Sequence, residues 1–405
     1  MNIGIVTTWF ERGAAYVSRQ YFDALCKENN MFIFARGGES YAIDDPTWNK
    51  PYVTWGKKFK DSSTRVDLFE FRDWIKKNSI DLVIFNEQQD WEVVVYCKRH
   101  QIKTAAYIDY YTQDTVKFFD LYDAVICNTK KHYSVFKNHR QSIYVPWGTN
   151  VELFKPRDEL TLKESEEIVF FHSAGMGGIG LRKGTDLLVK AFDRVKRGAK
   201  LIIHSQVPLA TYGEVASIIN NNENIEFIEK TVSAPGLYHL GDVYVYPSRL
   251  EGLGLTVIEA LASGLPVITT NCAPMNEFVI DGYTGFLVDV EFYLGRVDGY
   301  YWAESHCSVD SLIEKLQYFV DNKETLVQMR LTARKYAEEN LNWKNNSACL
   351  SDILSNVKIS DMEVEEFNKI AGLALLYSYK KRAVGDRFYK RISRKLYKYV
   401  HGLNC

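Results

Sequence analysis

The sequence predicts an α/β protein made of two doubly wound parallel-sheet domains. Three observations carry that expectation. Short β-rich apolar runs alternate with helix-period segments along the 405 residues, the runs fall into two series of about six, and a polar, acidic stretch at 155–167 separates the series. A chain of this length has room for two or three domains, each with its own core. Hydrophobic residues at 46%, charged residues at 25%, 25 Gly and 9 Pro give the balance of a folded globular protein and exclude a disordered or collagen-like one.

The strands expected in the first series are 3–6, 31–35, 81–85, 104–108, 124–127 and 143–145, with helical stretches such as 14–27 and 90–100 between them. The second series reads 168–172, 200–204, 225–228, 243–246, 266–269 and 286–288. The division expected is a first domain at 1–150, a second at 151–345, and a helical extension at 346–405. Ligands in doubly wound sheets bind beyond the carboxyl ends of the strands, so the chemistry is expected in a cleft between the two domains.

Charge and cysteine usage narrow the function classes. The net charge is -1, yet residues 380–398 carry nine basic side chains and one acid, a segment of +8 on a chain that is otherwise -9. A duplex-binding protein spreads its positive charge over a folded face, and no recognition module accompanies this tail, so a nucleic-acid partner is not expected. The seven cysteines are scattered and contain no C-x-x-C pair, which argues against a disulfide framework or a zinc ribbon. The opening Met1-Asn-Ile-Gly-Ile-Val6 has no basic region ahead of a long apolar stretch, and no segment reaches the ~18 apolar residues that span a bilayer. A reducing, cytoplasmic compartment is the expectation.

Chemistry concentrates in Pro247-Ser-Arg-Leu-Glu251-Gly-Leu-Gly254-Leu255-Thr256-Val-Ile-Glu259-Ala-Leu-Ala-Ser-Gly-Leu-Pro-Val-Ile-Thr-Thr270, which reads strand end, Gly-containing loop, helix, turn, strand. Gly252 and Gly254 let the backbone approach a ligand, and the helix opening near Leu255 presents unpaired N–H groups and a positive dipole end, an anion site. Glu251 and Glu259 stand eight residues apart, the first in the loop and the second beyond the first turn of the helix. A carboxylate accepts from paired hydroxyls, so the two suit sugars flanking a diphosphate. Spacing alone fits equally a Glu259 that complements the helix dipole and a solvated Glu251. A second Gly-rich turn, His172-Ser-Ala-Gly175-Met-Gly-Gly-Ile-Gly180-Leu-Arg182-Lys183-Gly184, also joins a strand to a helix. Its glycines permit an amide-lined concavity to which Arg182 and Lys183 add charge. His172 and His204 each end an apolar strand and fit a structural role as well as a cleft role.

The run from Pro247 to Val267 with Glu251-x7-Glu259 resembles the signature of the retaining family 4 glycosyltransferases. The resemblance continues in Glu277-Phe-Val-Ile-Asp-Gly-Tyr-Thr-Gly-Phe286 and in Tyr144-Val-Pro-Trp-Gly-Thr-Asn-Val-Glu-Leu-Phe-Lys-Pro156, and it covers most of residues 1–345. It implies a GT-B fold, two Rossmann-like domains facing a central cleft, with the nucleotide sugar held mainly by the second. It assigns the donor sugar to Glu251, the ribose hydroxyls to Glu259, the diphosphate to Lys183, with Gly254, Leu255 and Thr256 at the nucleotide. The Arg that the family places after the preceding strand has no counterpart near Gly175, and Arg182 is its expected substitute. Gly13, in Thr7-Thr-Trp-Phe-Glu-Arg-Gly13, is similar to the family's glycine beside the donor phosphates. Where many relatives place a His, this chain reads Ala106-Tyr-Ile-Asp109-Tyr-Tyr111, which makes Asp109 the candidate for touching donor sugar or acceptor.

The implied activity is metal-independent transfer of a hexose, with retention, from a UDP- or GDP-linked sugar to a lipid-linked or growing glycan in bacterial cell-surface polysaccharide or lipopolysaccharide synthesis. No cofactor is expected beyond that donor, and no Asp-x-Asp or metal-ligand cluster occurs in the sequence. Alternatives are a GT-B sugar-nucleotide epimerase or hydrolase, and a silent GT-B protein that binds glycans as a scaffold. The base is expected to be read near 229–232, and the aromatic segment 290–306 is expected to pack as a loop, with a sugar-site role as the alternative. In the tail Val384, Phe388, Ile392, Leu396 and Val400 recur at every fourth position among basic residues, the pattern of an interfacial helix on an anionic membrane. The alternative is a stripe that packs against the first domain.

Overall fold

The computed structural model describes residues 1–37, 41–108, 110–156, 167–176, 181–196 and 198–400, with side chains through 384. The chain divides into two compact units: Met1–Asn128, His132–Val145 and Ala348–Cys405 form one, and Thr129–Lys131 with Pro146–Ser347 form the other. The change of unit at Val145 falls before the polar stretch that separates the two strand series, and the C-terminal helices cluster with the first unit.

In chain order the first part runs β1 (Asn2–Thr7), α1 (Gly13–Leu25), β2 (Asn30–Ala35), β3 (Val53–Trp55), α2 (Leu68–Lys77), β4 (Leu82–Asn86), α3 (Glu92–Arg99), β5 (Lys103–Tyr107), β6 (Ala124–Cys127), α4 (Lys130–Phe136) and β7 (Ser142–Tyr144). The seven strands pair in parallel in the order β3-β2-β1-β4-β5-β6-β7. All six runs read from the sequence are strands. The seventh, β3, is a short edge strand without a fully buried residue, a pattern it shares with β7 at the other edge. Helix α2 starts where the Asp67 side chain accepts from the N–H groups of Phe69 and Glu70, and Lys76 and Lys77 complement its C-terminal dipole end. Its buried face is Phe71, Trp74 and Ile75. Gly4 makes room for that face, since a Cβ there would lie 2.2 Å from the Trp74 ring.

The second unit contains β8 (Ile168–Gly175), α5 (Thr185–Phe192), β9 (Ala199–Ser205), α6 (Val215–Asn221), β10 (Ile225–Glu229), β11 (Val243–Tyr246), α7 (Leu255–Ala262), β12 (Val267–Thr270), β13 (Gly285–Val288), β14 (Val290–Leu294), β15 (Glu304–Cys307), α8 (Val309–Asp321), α9 (Glu324–Asn340) and α10 (Trp343–Asn346). Its parallel sheet has the order β10-β9-β8-β11-β12-β13. The strand order reverses between β8 and β11, the topological switch point at which such sheets leave a crevice. Segment 290–306, expected as a packed loop, instead contains β14 and most of β15, which form a separate antiparallel ribbon.

Two further helices, α11 (Leu350–Ser355) and α12 (Val364–Val400), belong with the first unit. The link between them is pinned by Asp123, which accepts from the Ser360 N–H at 2.7 Å, and by Lys98, which donates to the Ser360 carbonyl at 2.6 Å. Ile370, Ala371 and Ala374 of α12 are buried, the Ser378 hydroxyl oxygen accepts from the Trp91 N–H at 2.9 Å, and Tyr377 meets Phe118 edge to face. Arg382, one of the tail's nine cations, pairs with Asp90 at 2.5 Å and with Glu92 at 2.7 Å, and Lys381 bonds to Gln89. The start of the basic segment is therefore a packed part of the first unit, while Val384 is exposed. The stripe from Phe388 onward lies outside the described side chains. Among the described residues no helix is long and apolar enough to cross a membrane.

Candidate functional site

The loops that leave β8 and β11, the two strands at the switch point, come into backbone contact. Gly184 adopts φ +73°, and a Cβ on it would lie 2.0 Å from the Pro247 carbonyl oxygen, so both the turn and the approach require glycine. The Arg182 carbonyl accepts from the Arg249 N–H at 2.8 Å. Arg249 is buried and forks onto Asp186 at 2.8 and 2.7 Å while donating to the Leu181 carbonyl at 2.6 Å. These contacts lock residues 181–186 to residues 247–251.

The lock sets Lys183 against Glu251. Lys183 Nζ donates to Glu251 Oε1 at 2.8 Å and to the Tyr246 hydroxyl at 2.5 Å. Tyr246 and Ser248 donate to the same Oε1 at 2.9 and 2.7 Å, and the Arg182 guanidinium lies 3.4 Å from it while bonding the Leu250 carbonyl. Among the described residues every bond to this carboxylate falls on Oε1. Burial pushes the Glu251 carboxyl up, but Arg182 and Lys183 beside it outweigh that and hold it at about 2. Burial also draws the Lys183 ammonium down to about 8, against the pull of Glu251.

Glu259 repeats the arrangement one turn into α7. Its Oε2 accepts from the Tyr238 hydroxyl at 2.6 Å, the one bond to this carboxylate among the described residues. Burial raises its carboxyl to about 7, with the tyrosine opposing the rise. Between the two glutamates Gly254 holds φ +71° and hands the chain to α7, whose first turn contains Leu255 and Thr256. The pair of carboxylates thus flanks a helix N-terminus, and each has one oxygen fixed by protein donors.

Of the residues singled out in the sequence, Arg182, Lys183, Glu251, Gly254, Leu255, Thr256 and Glu259 all lie in this one region of the second unit. Gly13 is the first residue of α1 in the first unit. Asp109 and the glycines at 177–180 lie outside the described residues. The two open histidines are structural. His172 is buried, with Nδ1 donating to the Val245 carbonyl at 2.8 Å and Nε2 accepting from Thr185 at 2.9 Å, and burial brings it down to about 4. His204 bonds Ser173 at 3.1 Å and the Lys230 carbonyl at 2.7 Å. That bond, with the one from the Lys230 N–H to Ser205, engages part of the backbone expected to read a base.

Sequence reasoning missed Tyr238, Tyr246, Arg249 and Lys131. Arg249 lies inside the quoted motif and Tyr246 adjoins it, so both were readable there. Tyr238 lies outside it, ahead of β11. Lys131 sits in a three-residue segment that clusters with the second unit and donates to the Glu251 carbonyl at 3.2 Å. Among the described residues no group of three or more His, Cys, Asp or Glu is placed to hold a metal ion.

Comparison with known proteins accords with this geometry. Residues 170–293 match the family described as Glycosyl transferases group 1. The GDP-mannose-dependent alpha-(1-6)-phosphatidylinositol monomannoside mannosyltransferase of Mycobacterium tuberculosis is 28% identical over 232 residues, 52% of this chain and 55% of that protein. The D-inositol 3-phosphate glycosyltransferase of Corynebacterium glutamicum is 28% identical over 257 residues, 58% of this chain and 57% of the relative. The chain thus spans little more than half the length of these curated relatives. Among solved structures, Anabaena HepE in complex with UDP and glucose superposes with a TM-score of 0.66 at 15% identity, covering 88% of this chain and 99% of that one. Residues 170–293 accordingly form a glycosyl transferases group 1 domain, carried in a chain of GT-B fold.

Proposed function

We propose that the protein is a retaining glycosyltransferase that moves a hexose from a UDP- or GDP-linked sugar to a glycan or lipid-linked acceptor in bacterial cell-surface polysaccharide synthesis. The observation that carries this reading is the pair Glu251 and Glu259, each with one oxygen anchored by protein donors and the other without a protein partner among the described residues, on either side of a helix N-terminus. Glu251 accepts from hydroxyls of the donor sugar and Glu259 from the ribose. Lys183, Arg182 and the first amides of α7, with Gly254, Leu255 and Thr256, meet the diphosphate, and no metal ion is needed for its charge. In this reading the donor phosphates are also assigned to Gly13, and the donor sugar or acceptor to Asp109.

In the reaction the bond from the anomeric carbon to the diphosphate oxygen breaks and the acceptor oxygen bonds to the same face of that carbon. The acceptor proton passes to the departing diphosphate. Charge grows on the diphosphate as the bond breaks, so the contact with Lys183 strengthens in the transition state and counts toward rate. With its ammonium drawn down to about 8, Lys183 still holds its proton at neutral pH, and an arriving diphosphate favours that charged form. Within the basic tail, residues 380–400, the cations beyond Arg382 hold the enzyme to an anionic membrane on the cytoplasmic side, where lipid-linked acceptors reside.

The test is thermal unfolding with UDP, GDP and their common sugar conjugates, without added metal, followed by an assay of nucleotide release with and without glycan acceptors. Ligand at about 100 times its dissociation constant adds ~2.7 kcal/mol to the folded state, a clear shift in melting. Stabilisation by one nucleotide series names the base. Absence of any shift sinks the reading and favours a silent scaffold, while release that no acceptor accelerates favours a hydrolase.

A further inference from the structure

The β14–β15 ribbon is tied to the donor loops more closely than a surface excursion requires. The Ser305 N–H and hydroxyl both donate to the Arg249 carbonyl, at 2.8 and 3.0 Å, and Arg249 Nε bonds His306 at 3.1 Å. Arg249 is the residue that locks the Lys183 loop to the Glu251 loop. The tip is also held: Arg296 pairs with Asp298 at 2.6 Å and with Glu304 at 3.2 Å, and the Tyr300 N–H donates to Asp298 at 3.2 Å. This fixed tip carries Tyr301 and Trp302, which meet edge to face at 5.3 Å between centroids, both half-buried. The Trp302 ring centre lies 5.2 Å from the Lys131 ammonium, and that ammonium donates to the Glu251 carbonyl. An aromatic pair thus stands one side chain away from the backbone of Glu251, whose carboxylate is assigned to the donor sugar.

We propose that Tyr301 and Trp302 form a subsite for a pyranose ring of the acceptor glycan. A pyranose has a C–H face that packs on an aromatic ring and a rim of hydroxyls that seek polar groups. The ribbon tip supplies both, because the aromatic pair adjoins the Arg296, Asp298 and Glu304 cluster. Tyr and Trp suit this chemistry because each joins a large apolar face to a polar handle. Their position beside the Glu251 loop sets a bound ring next to the donor sugar, where an accepting hydroxyl has to be. A membrane or protein partner would be better served by the exposed outer residues of β14, Phe292, Tyr293 and Leu294, which are not part of this subsite. The inference rests on the proposed donor site and adds to it that the acceptor presents a sugar ring to the enzyme.

The experiment uses the full chain and a panel of 4-nitrophenyl α- and β-hexopyranosides, with binding read by saturation-transfer NMR, and UDP and GDP as donor-site probes by thermal shift. The expected result is that wild type binds at least one pyranoside and Trp302→Ala weakens it about tenfold, the scale of a lost aromatic contact. Trp302→Phe recovers part of the loss, and the nucleotide shift is the same in all three proteins. Equal pyranoside binding by wild type and Trp302→Ala, or none by wild type, overturns the subsite. A nucleotide shift lost with Trp302 assigns the ring to the donor and also overturns it. Absence of a nucleotide shift in wild type is the separate failure of the donor-site reading.

Discussion

The Tyr238 hydroxyl holds one oxygen of Glu259 at 2.6 Å inside an aromatic cluster that includes Phe154, Phe171 and Tyr244. The bond fixes the carboxylate's direction, while burial keeps its proton on to about 7. Nucleotide affinity is therefore expected to rise as pH increases through 7 and Glu259 ionises to accept the ribose hydroxyls. It falls again above about 8, where Lys183 loses its proton. Calorimetric titration of UDP or GDP from about pH 5.5 to about 9 checks this bell. Glu259→Gln flattens the acid limb and leaves the alkaline one. An unchanged acid limb would remove Glu259 from the ribose.

The same group sets a trend in stability. Its folded value lies above the unfolded value of 4.5, so the fold favours the protonated form. That contribution is complete below 4.5 and is lost as pH rises to about 7. Glu259→Gln is expected to be less sensitive to pH than wild type across that window in denaturant titrations. A parallel pH trend in the two proteins would contradict the assigned shift.

Lys183 and Glu251 each depend on the other, so a change at either one disturbs both. Lys183→Ala removes the cation expected at the diphosphate and leaves Arg182, at 3.4 Å, to balance Glu251. Turnover should drop more than about tenfold, since a charge-assisted bond is worth roughly 1.5 to 3 kcal/mol. Glu251→Gln keeps the shape but removes the charge that supports the Lys183 proton. It should lower turnover similarly and move the alkaline limb of the pH profile down. Near wild-type rates in both variants would exclude the pair from the reaction.

How much of this was readable in advance follows from where the information resides. The inner strands of the two series announced themselves because both faces of a parallel sheet are buried, which leaves near-continuous apolar runs, whereas the edge strands β7 and β10 are only partly buried. Lys183, Glu251 and Glu259 were readable because strand, glycine turn and helix follow one another within a short span. Tyr238 was not, because its partner lies 21 residues away and only folding joins them. The ribbon escaped for another reason: β14 exposes most of its residues, so its strand signal resembles that of an aromatic loop. The role of Arg382 also required the fold, since its partners Asp90 and Glu92 are remote in sequence and the local pattern reads only as positive charge.

Arg249 joins both donor loops to the ribbon through a side chain that is 7% exposed. Arg249→Ala leaves Asp186 without its forked partner and the Leu181 carbonyl with the Gly184 N–H as its remaining donor. Breaking a buried pair in this way costs about 3 to 5 kcal/mol, and a lysine does not restore a bidentate contact. Both Arg249→Ala and Arg249→Lys are expected to melt several degrees lower and to bind UDP and GDP more weakly. Wild-type melting in either would show that the loops are held by other means.

The packing of α12 determines where the tail should be cut to test its membrane role. Ser378 and Arg382 anchor the helix to residues 90–92, so truncation ahead of them exposes the buried face of Ile370, Ala371 and Ala374 and is expected to unfold the first unit. Removal of 385–405 spares these contacts and takes away Arg387, Lys390, Arg391, Arg394, Lys395 and Lys398. Each basic residue near an anionic surface is worth about 1 kcal/mol, so the loss should abolish sedimentation with phosphatidylserine vesicles. Melting and nucleotide binding should be unchanged. Because the attraction is electrostatic, binding by the full chain should weaken as salt is raised. Vesicle binding that survives the truncation, or that salt does not affect, would place the membrane contact elsewhere or remove it.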